Sequence, residues 1–243
     1  MRILVTGFEP FGGSSINPSA VAATALAAAP PKRTKVRAVV LPVAGGTATE
    51  RLLEAIDTAF GSDRPEAIVL LGESAMATAI TVERLAANLR DYRIPDNRGL
   101  TVTDEPVVAD GPAAYFATLP TRRLVQAIRA VGIPADLSMS AGTYLCNEVM
   151  YGLLHALAQR RRAIPAGFVH VPSLPEQVAD GPKGRPSMGR ETTVAGLKVL
   201  LGELVRWRRE GLNQPDVAPA PANRSATERS PAATRGRTRR SRR

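Results

Sequence analysis

The 243-residue chain contains one cysteine, Cys146, and two histidines, His155 and His170. A thiol activated by an imidazole is a nucleophile for acyl transfer, so these residues bound the cysteine–histidine chemistry open to the protein. Cys146 lies in SMSAGTYLCNEVMYGLLH, residues 138–155, where a small-residue turn leads into an apolar helical pattern. Most free cysteines are small buried hydrophobes. A helix start argues for reactivity instead, because helix N-termini stabilise thiolates and offer unpaired N–H groups to an oxyanion.

His155 follows Cys146 by nine residues in the same predicted helix. That separation is roughly 13 Å along the axis and about 180° around it. The two side chains face opposite ways, and His155 is expected as a surface or partly buried helix residue. By elimination, a Cys–His catalyst here must use His170, near the end of AGFVHVP. A third group usually orients the imidazole. Acidic candidates outside obvious surface faces are Glu9, Glu73, Glu83, Asp96 and Glu148. Glu83 sits among apolar residues in TVERLAANL, where a carboxylate needs a partner. Spacing favours it over Asp96 without excluding Asp96.

The elements that must position these groups alternate along the chain. RILVTG, VRAVVLPV, EAIVLLG, ADLSMS and AGFVHV read as strands. Helices are expected from Asn17 or Ser19 to about Ala29, over TATERLLEAIDTAF, over TRRLVQAIRAVG up to Gly132, over NEVMYGLLHALAQRRR, and over RETTVAGLKVLLGELVRWRRE. AITVERLAANL fits either a strand or a helix. RDYRIPDNRGLTVTDEPVVADGPAAYFATLP is dense in turn residues, and long irregular segments inside compact domains usually carry function. The pattern predicts an α/β fold, a three-layer α/β/α sandwich around a largely parallel, open twisted sheet. Sites in such sheets sit at the carboxyl ends of strands. The Phe8–Asn17 loop, Cys146 and His170 all fall at or near such ends.

Composition sets outer limits. The length suits one sizeable core. A single cysteine excludes an intramolecular disulfide and any multi-cysteine metal site, which fits a reducing compartment. No apolar run approaches the roughly 18 residues of a membrane span, and the apolar run near Met1 is too short for a signal peptide. The expected location is cytoplasmic. Of the net charge of +10, residues 212–243 carry +6, from eight Arg against two acids. That Pro/Ala/Ser/Arg-rich stretch is expected to be a disordered basic tail. It reads first as a solubilising extension and second as a weak contact with a polyanion, because its arginines lack interleaved aromatics.

Taken together, TGFEPFGG…NPS, ITVERLAANLRDYRIPDNRG, GPAAYFATLP, SAGTYLCNEVMYGLLH and GFVHVPSLPEQ resemble, in order, the motifs of the pyroglutamyl peptidase I (pyrrolidone-carboxylate peptidase) family of cysteine peptidases. The resemblance covers about residues 1–205. It implies a catalytic domain over 1–211, with Glu83, Cys146 and His170 as the triad. Phe8 and Phe11 match an aromatic pair that holds the pyroglutamyl ring. Asn17 in the same motif and Arg93 before IPDN join the substrate-binding set. The family also implies a homotetramer acting on peptides with N-terminal pyroglutamate, with no metal or cofactor. Met76 and Ala77 stand where the family often has Gly-Gly-Arg or Pro-Gly-Arg, and Glu73 replaces a commonly uncharged residue. These departures bear on the substrate pocket and leave open a related thiol amidase of altered specificity. A third reading makes the tail the functional part, acting as a polyanion binder.

Overall fold

A computed structural model describes residues 1–180 and 184–211. The expected basic tail, 212–243, and its polyanion contact lie outside the described residues. In chain order the elements are β1 (Arg2–Phe8), α1 (Pro18–Ala28), β2 (Lys35–Leu41), α2 (Thr47–Thr58), β3 (Ala67–Glu73), β4 (Ile80–Glu83), β5 (Leu85–Ala87), β6 (Ala114–Phe116), α3 (Thr121–Ala130), β7 (Ala135–Ser138), α4 (Leu145–Gln159), β8 (Ala166–Val171), α5 (Pro175–Val178) and α6 (Arg190–Arg209).

Six strands form one sheet in the order β2-β1-β3-β8-β4-β7. All pairs are parallel except β4 with β8. The central strands β1, β3 and β8 are almost continuously apolar and buried, as strands covered on both faces must be. Alternation sends Ile68, Leu70 and Phe168 to a core shared with α2 and α4. Val69, Leu71, Val169 and Val171 go to the opposite core, shared with α1, α3 and α6. This is the three-layer α/β/α sandwich.

The ambiguous AITVERLAANL forms two short strands separated at Arg84, with no helix. Its β-branched Ile80, Thr81 and Val82 enter the main sheet as β4, while β5 pairs with β6 in a small antiparallel sheet. The antiparallel placement of β4 matters for the site. Thr81 pairs with His170, so Glu83, two residues on, presents its side chain on the same face of the sheet as His170. The long turn-rich segment contributes only the short β6 and an isolated bridge between Arg90 and Glu105. It packs as a wall over the α4 side of the sheet. Among the described residues, no helix is long and apolar enough to cross a membrane.

Candidate active site

A cleft of about 860 Å³ opens at the carboxyl ends of the central strands, and Glu83, Cys146 and His170 all line it. His170 is 8% exposed and Glu83 2%. His170 Nδ1 lies 2.8 Å from Glu83 Oε1, and the imidazole shares the cleft with the Cys146 sulfur, close enough for that sulfur to act on its ionisation. Burial is the largest influence on His170 and pushes its pKa down. Attraction to the Cys146 sulfur as thiolate, its hydrogen bond, and the bond and charge of Glu83 outweigh burial and raise the pKa to about 10. The arrangement favours an imidazolium fixed between a carboxylate and a sulfur. Glu83 Oε2 is buried with no hydrogen-bond partner among the described residues. Such orphans are uncommon and cluster where function outweighs stability.

Cys146 is the second residue of α4. The turn before it needs Gly142, whose φ of +80° swings the chain into the helix. The cap residue Tyr144 supplies no side-chain hydrogen bond. The N–H groups of Leu145 and Cys146 therefore have no protein acceptor among the described residues, the condition for an oxyanion hole at the nucleophile. Sγ itself rests against β3 at Gly72. A Cβ built there would lie 2.9 Å from Sγ and 2.6 Å from Phe168 Cζ. Gly72, the register partner of His170, is thus a notch that admits the sulfur. The sequence reading missed it, although glycine ending a buried apolar strand is a signal of close approach.

His155 is far from this chemistry. Its ring stacks on Tyr151 at 6.1 Å, and its Nδ1 lies 3.0 Å from the Tyr115 hydroxyl. The helix-face argument is thereby met.

The remaining acids separate cleanly. The turn around Val43–Gly46 draws in three of them. Glu9 Oε1 accepts from Val43 N (2.9 Å), Asp96 Oδ2 from Gly45 N (2.8 Å) and Glu148 Oε1 from Gly46 N (2.6 Å). Asp96 also accepts from the N–H groups of Arg98 and Leu100. Burial, its largest influence, opposes ionisation, yet these bonds and the charge of Arg98 hold its pKa below the usual value. Glu148 further accepts from the Tyr92 hydroxyl, whose pKa is raised by burial and by that carboxylate. Asp96 is thereby committed to loop structure, and Glu83 is the carboxylate on His170.

Glu73 follows Gly72 on β3, so its side chain leaves the opposite face of the strand. It accepts from Ser173 Oγ (2.7 Å) and Gln177 Nε2 (3.2 Å). Gln177 also donates to Ser14 Oγ and Ile16 O, which bracket the loop after Phe11. The charge that departs from the family pattern thus lines the cleft and is held there by neutral donors.

Phe8, Phe11, Asn17 and Arg93 line the same cleft. Phe8 is 3% exposed and packs on Phe168. Phe11 is less buried and packs against Tyr144. Asn17 is mainly a structural cap, accepting from Ser19 N (3.0 Å) and donating to Glu9 O (3.0 Å). Arg93 is exposed at the rim. Met76 and Ala77 also line the cleft, with Met76 71% exposed.

The family described as pyroglutamyl peptidase matches residues 1–206. The chain belongs to the pyroglutamyl peptidase family. Pyrrolidone-carboxylate peptidase of Streptomyces coelicolor is 45% identical over 205 residues, covering 84% of this chain and 92% of the relative. The Yersinia pestis protein of the same name is 44% identical over 200 residues, covering 82% and 91%. Among solved structures, pyrrolidone carboxyl peptidase from Thermococcus litoralis superposes with a TM-score of 0.81 at 38% identity, covering 89% of this chain and 97% of its own. Pyroglutamyl peptidase I from Bacillus amyloliquefaciens gives 0.77 at 36% identity, covering 82% and 94%. The family's α/β sandwich is therefore the fold of this chain, and its chemistry is that of a thiol hydrolase.

Proposed function

We propose that this family member is a cysteine exopeptidase that removes N-terminal pyroglutamate from peptides, with Cys146, His170 and Glu83 as its triad. The support is the position of His170, which pairs with Glu83 at 2.8 Å and has its ionisation coupled to Cys146, inside a cleft that also holds Phe8 and Phe11.

His170 takes the proton of the Cys146 thiol. The sulfur attacks the carbonyl carbon that joins the pyroglutamyl residue to the next amino acid. The N–H groups of Leu145 and Cys146, assisted by Arg93, receive the developing oxyanion. As the C–N bond breaks, His170 delivers its proton to the departing amine, leaving a pyroglutamyl thioester on Cys146. A water molecule then attacks the thioester, giving a proton to His170. Collapse releases pyroglutamate and returns sulfur to the resting pair. Glu83 holds the imidazole in orientation and stabilises its cation.

The pyroglutamyl cap is a neutral lactam without a free amine. Phe8 and Phe11 supply flat apolar walls suited to it, and Asn17 holds their loop in shape. The same reading makes residues 1–211 the catalytic domain of a cytoplasmic homo-oligomer.

The test is hydrolysis of pyroglutamyl-7-amido-4-methylcoumarin in reducing buffer. Wild type should release fluorophore, prior alkylation should stop it, and Cys146→Ala should lower kcat by about 10⁴-fold or more. A wild-type protein without turnover, or an alanine variant with full turnover, would overturn the proposal. A panel of free N-terminal amino-acid amides separates pyroglutamyl specificity from a broader thiol amidase.

A further inference from the structure

Glu83 and His170 sit on neighbouring strands, and the ladder between β4 and β8 sets their separation. Cys146 does not share that ladder. It rides on α4, a helix joined to the sheet by packing and by the loop after β7. Some contact beyond packing must hold the sulfur in register with the other two groups, because reacting geometry tolerates errors well below 1 Å.

Asn147, the residue after Cys146, makes such a contact. It is a buried polar side chain, 1% exposed, that the triad chemistry does not use. Its Oδ1 accepts from Ala87 N at 2.9 Å, and its Nδ2 donates to Ala87 O at 2.9 Å and to Leu89 O at 2.8 Å. The amide thus pairs with the main chain of Ala87 as a neighbouring strand would. Ala87 ends β5, four residues beyond Glu83 on the same extended stretch. All three bonds go to the main chain, so side-chain changes at positions 87 and 89 leave them intact. Only the residue at 147 can make or break them.

We propose that Asn147 is a positioning residue, a rung that ties the first turn of α4 to the chain segment carrying Glu83 and so sets Cys146 against the Glu83–His170 pair. The inference rests on the reading of these three residues as the triad. It explains why a residue with poor helix propensity occupies the first turn beside the nucleophile. Asparagine is also the one side chain of this length that offers an acceptor to Ala87 N and donors to two carbonyls together.

Asn147→Asp and Asn147→Ser together isolate the effect, the first without a cavity and the second without an added charge beside the sulfur. Aspartate has the same size and leaves no cavity, and it still accepts from Ala87 N. It cannot donate, and it sets a carboxylate against the carbonyls of Ala87 and Leu89. The expected result is a fall in kcat of about 10- to 100-fold with KM changed less than about threefold, because Phe8 and Phe11 are untouched. The second readout needs no peptide turnover. The rate constant for alkylation of Cys146 by iodoacetamide should fall by about tenfold relative to wild type at the same pH. Circular dichroism at the assay temperature checks that the variant is folded. Asn147→Ser, which removes the paired amide without adding charge, must show the same two falls; a fall with aspartate alone reports the added charge and overturns the positioning role. Unchanged kcat and unchanged alkylation in a folded variant would overturn the positioning role, even with a lowered melting temperature. A rise in KM alone would also overturn it. Should wild type fail to cleave pyroglutamyl amides, the proposed activity falls while the alkylation comparison still decides the role of Asn147.

Discussion

Gly72→Ala tests the notch that admits the nucleophile. The added Cβ would stand 2.6 Å from Phe168 Cζ, 2.9 Å from Phe168 Cε1 and 2.9 Å from Cys146 Sγ. Unstrained carbon contacts begin near 3.5 Å, so the methyl intrudes by roughly 0.6–0.9 Å. Phe168 cannot yield freely. It is fully buried, tilted against Phe8, and its centroid lies 4.8 Å from that of His170. Overpacking of this kind costs about 1–3 kcal/mol. Lower entropy in the unfolded chain returns about 0.4–1 kcal/mol. A net loss near 1–2 kcal/mol lowers the melting temperature by about 2–8 °C for a body of this size. The catalytic loss should be larger. Displacing the sulfur by a sizeable fraction of an ångström predicts a fall in kcat of about 10²-fold with little change in KM. The assay is fluorophore release from a pyroglutamyl amide, with melting followed by circular dichroism. Gly152→Ala is the control. Its Cβ would meet Thr49 Cγ2 at 2.6 Å, on a face of α4 away from the cleft, so stability shifts while kcat holds. A Gly72→Ala enzyme with kcat within about threefold of wild type would refute the sulfur-notch reasoning.

Other expectations concern the ionisable groups. His155→Ala should keep kcat/KM within about twofold, since only its contacts with Tyr115 and Tyr151 are lost. A loss matching that of His170→Ala would contradict the helix-face argument. The His170 pKa in the fold, about 10, lies above its ordinary value of 6.5. Its protonated form therefore contributes stability in full below about pH 6.5, and that contribution is lost as pH rises through about 10. The alkaline limb of kcat/KM should fall in the same range, and Glu83→Gln should move it to lower pH by removing a charge and strengthening bond. A limb unmoved by the substitution would exclude Glu83 as the imidazole's partner. The Asp96 carboxyl is held below its ordinary value of 3.8, so its contribution is present above that value and lost as pH falls through the folded one. Asp96→Asn should cost about 1–3 kcal/mol at neutral pH and flatten acid unfolding, as read from denaturant midpoints across pH.

Much of the fold was legible because hydrophobic periodicity is a local property. The five strands and five helices read from the sequence are all present, and Gly132 follows the end of α3 with a φ of +79°. The short β6 and α5 were missed, since three or four residues carry too little periodicity to register. The antiparallel course of β4 left no mark on the sequence either, because β-branched residues suit both ladder types. Asn147 was passed over because it reads as an ordinary residue in the first turn of a helix, and its partners lie about 60 residues away.

By itself the sequence determined that a cysteine–histidine catalyst must pair Cys146 with His170. That follows from composition and from the 100° step of a helix, which need no tertiary information. It also placed Cys146 at a helix start and the Phe8 loop at a strand end. Only the tertiary structure decided between Glu83 and Asp96, fixed Glu73 in the cleft wall through Ser173 and Gln177, and exposed the roles of Gly72 and Asn147. The reason is physical. Local pattern reports which face a residue shows, whereas contacts across 87 residues, as between Glu83 and His170, follow from strand order and register. Those are chosen by burial summed over the whole chain, and no short stretch encodes them.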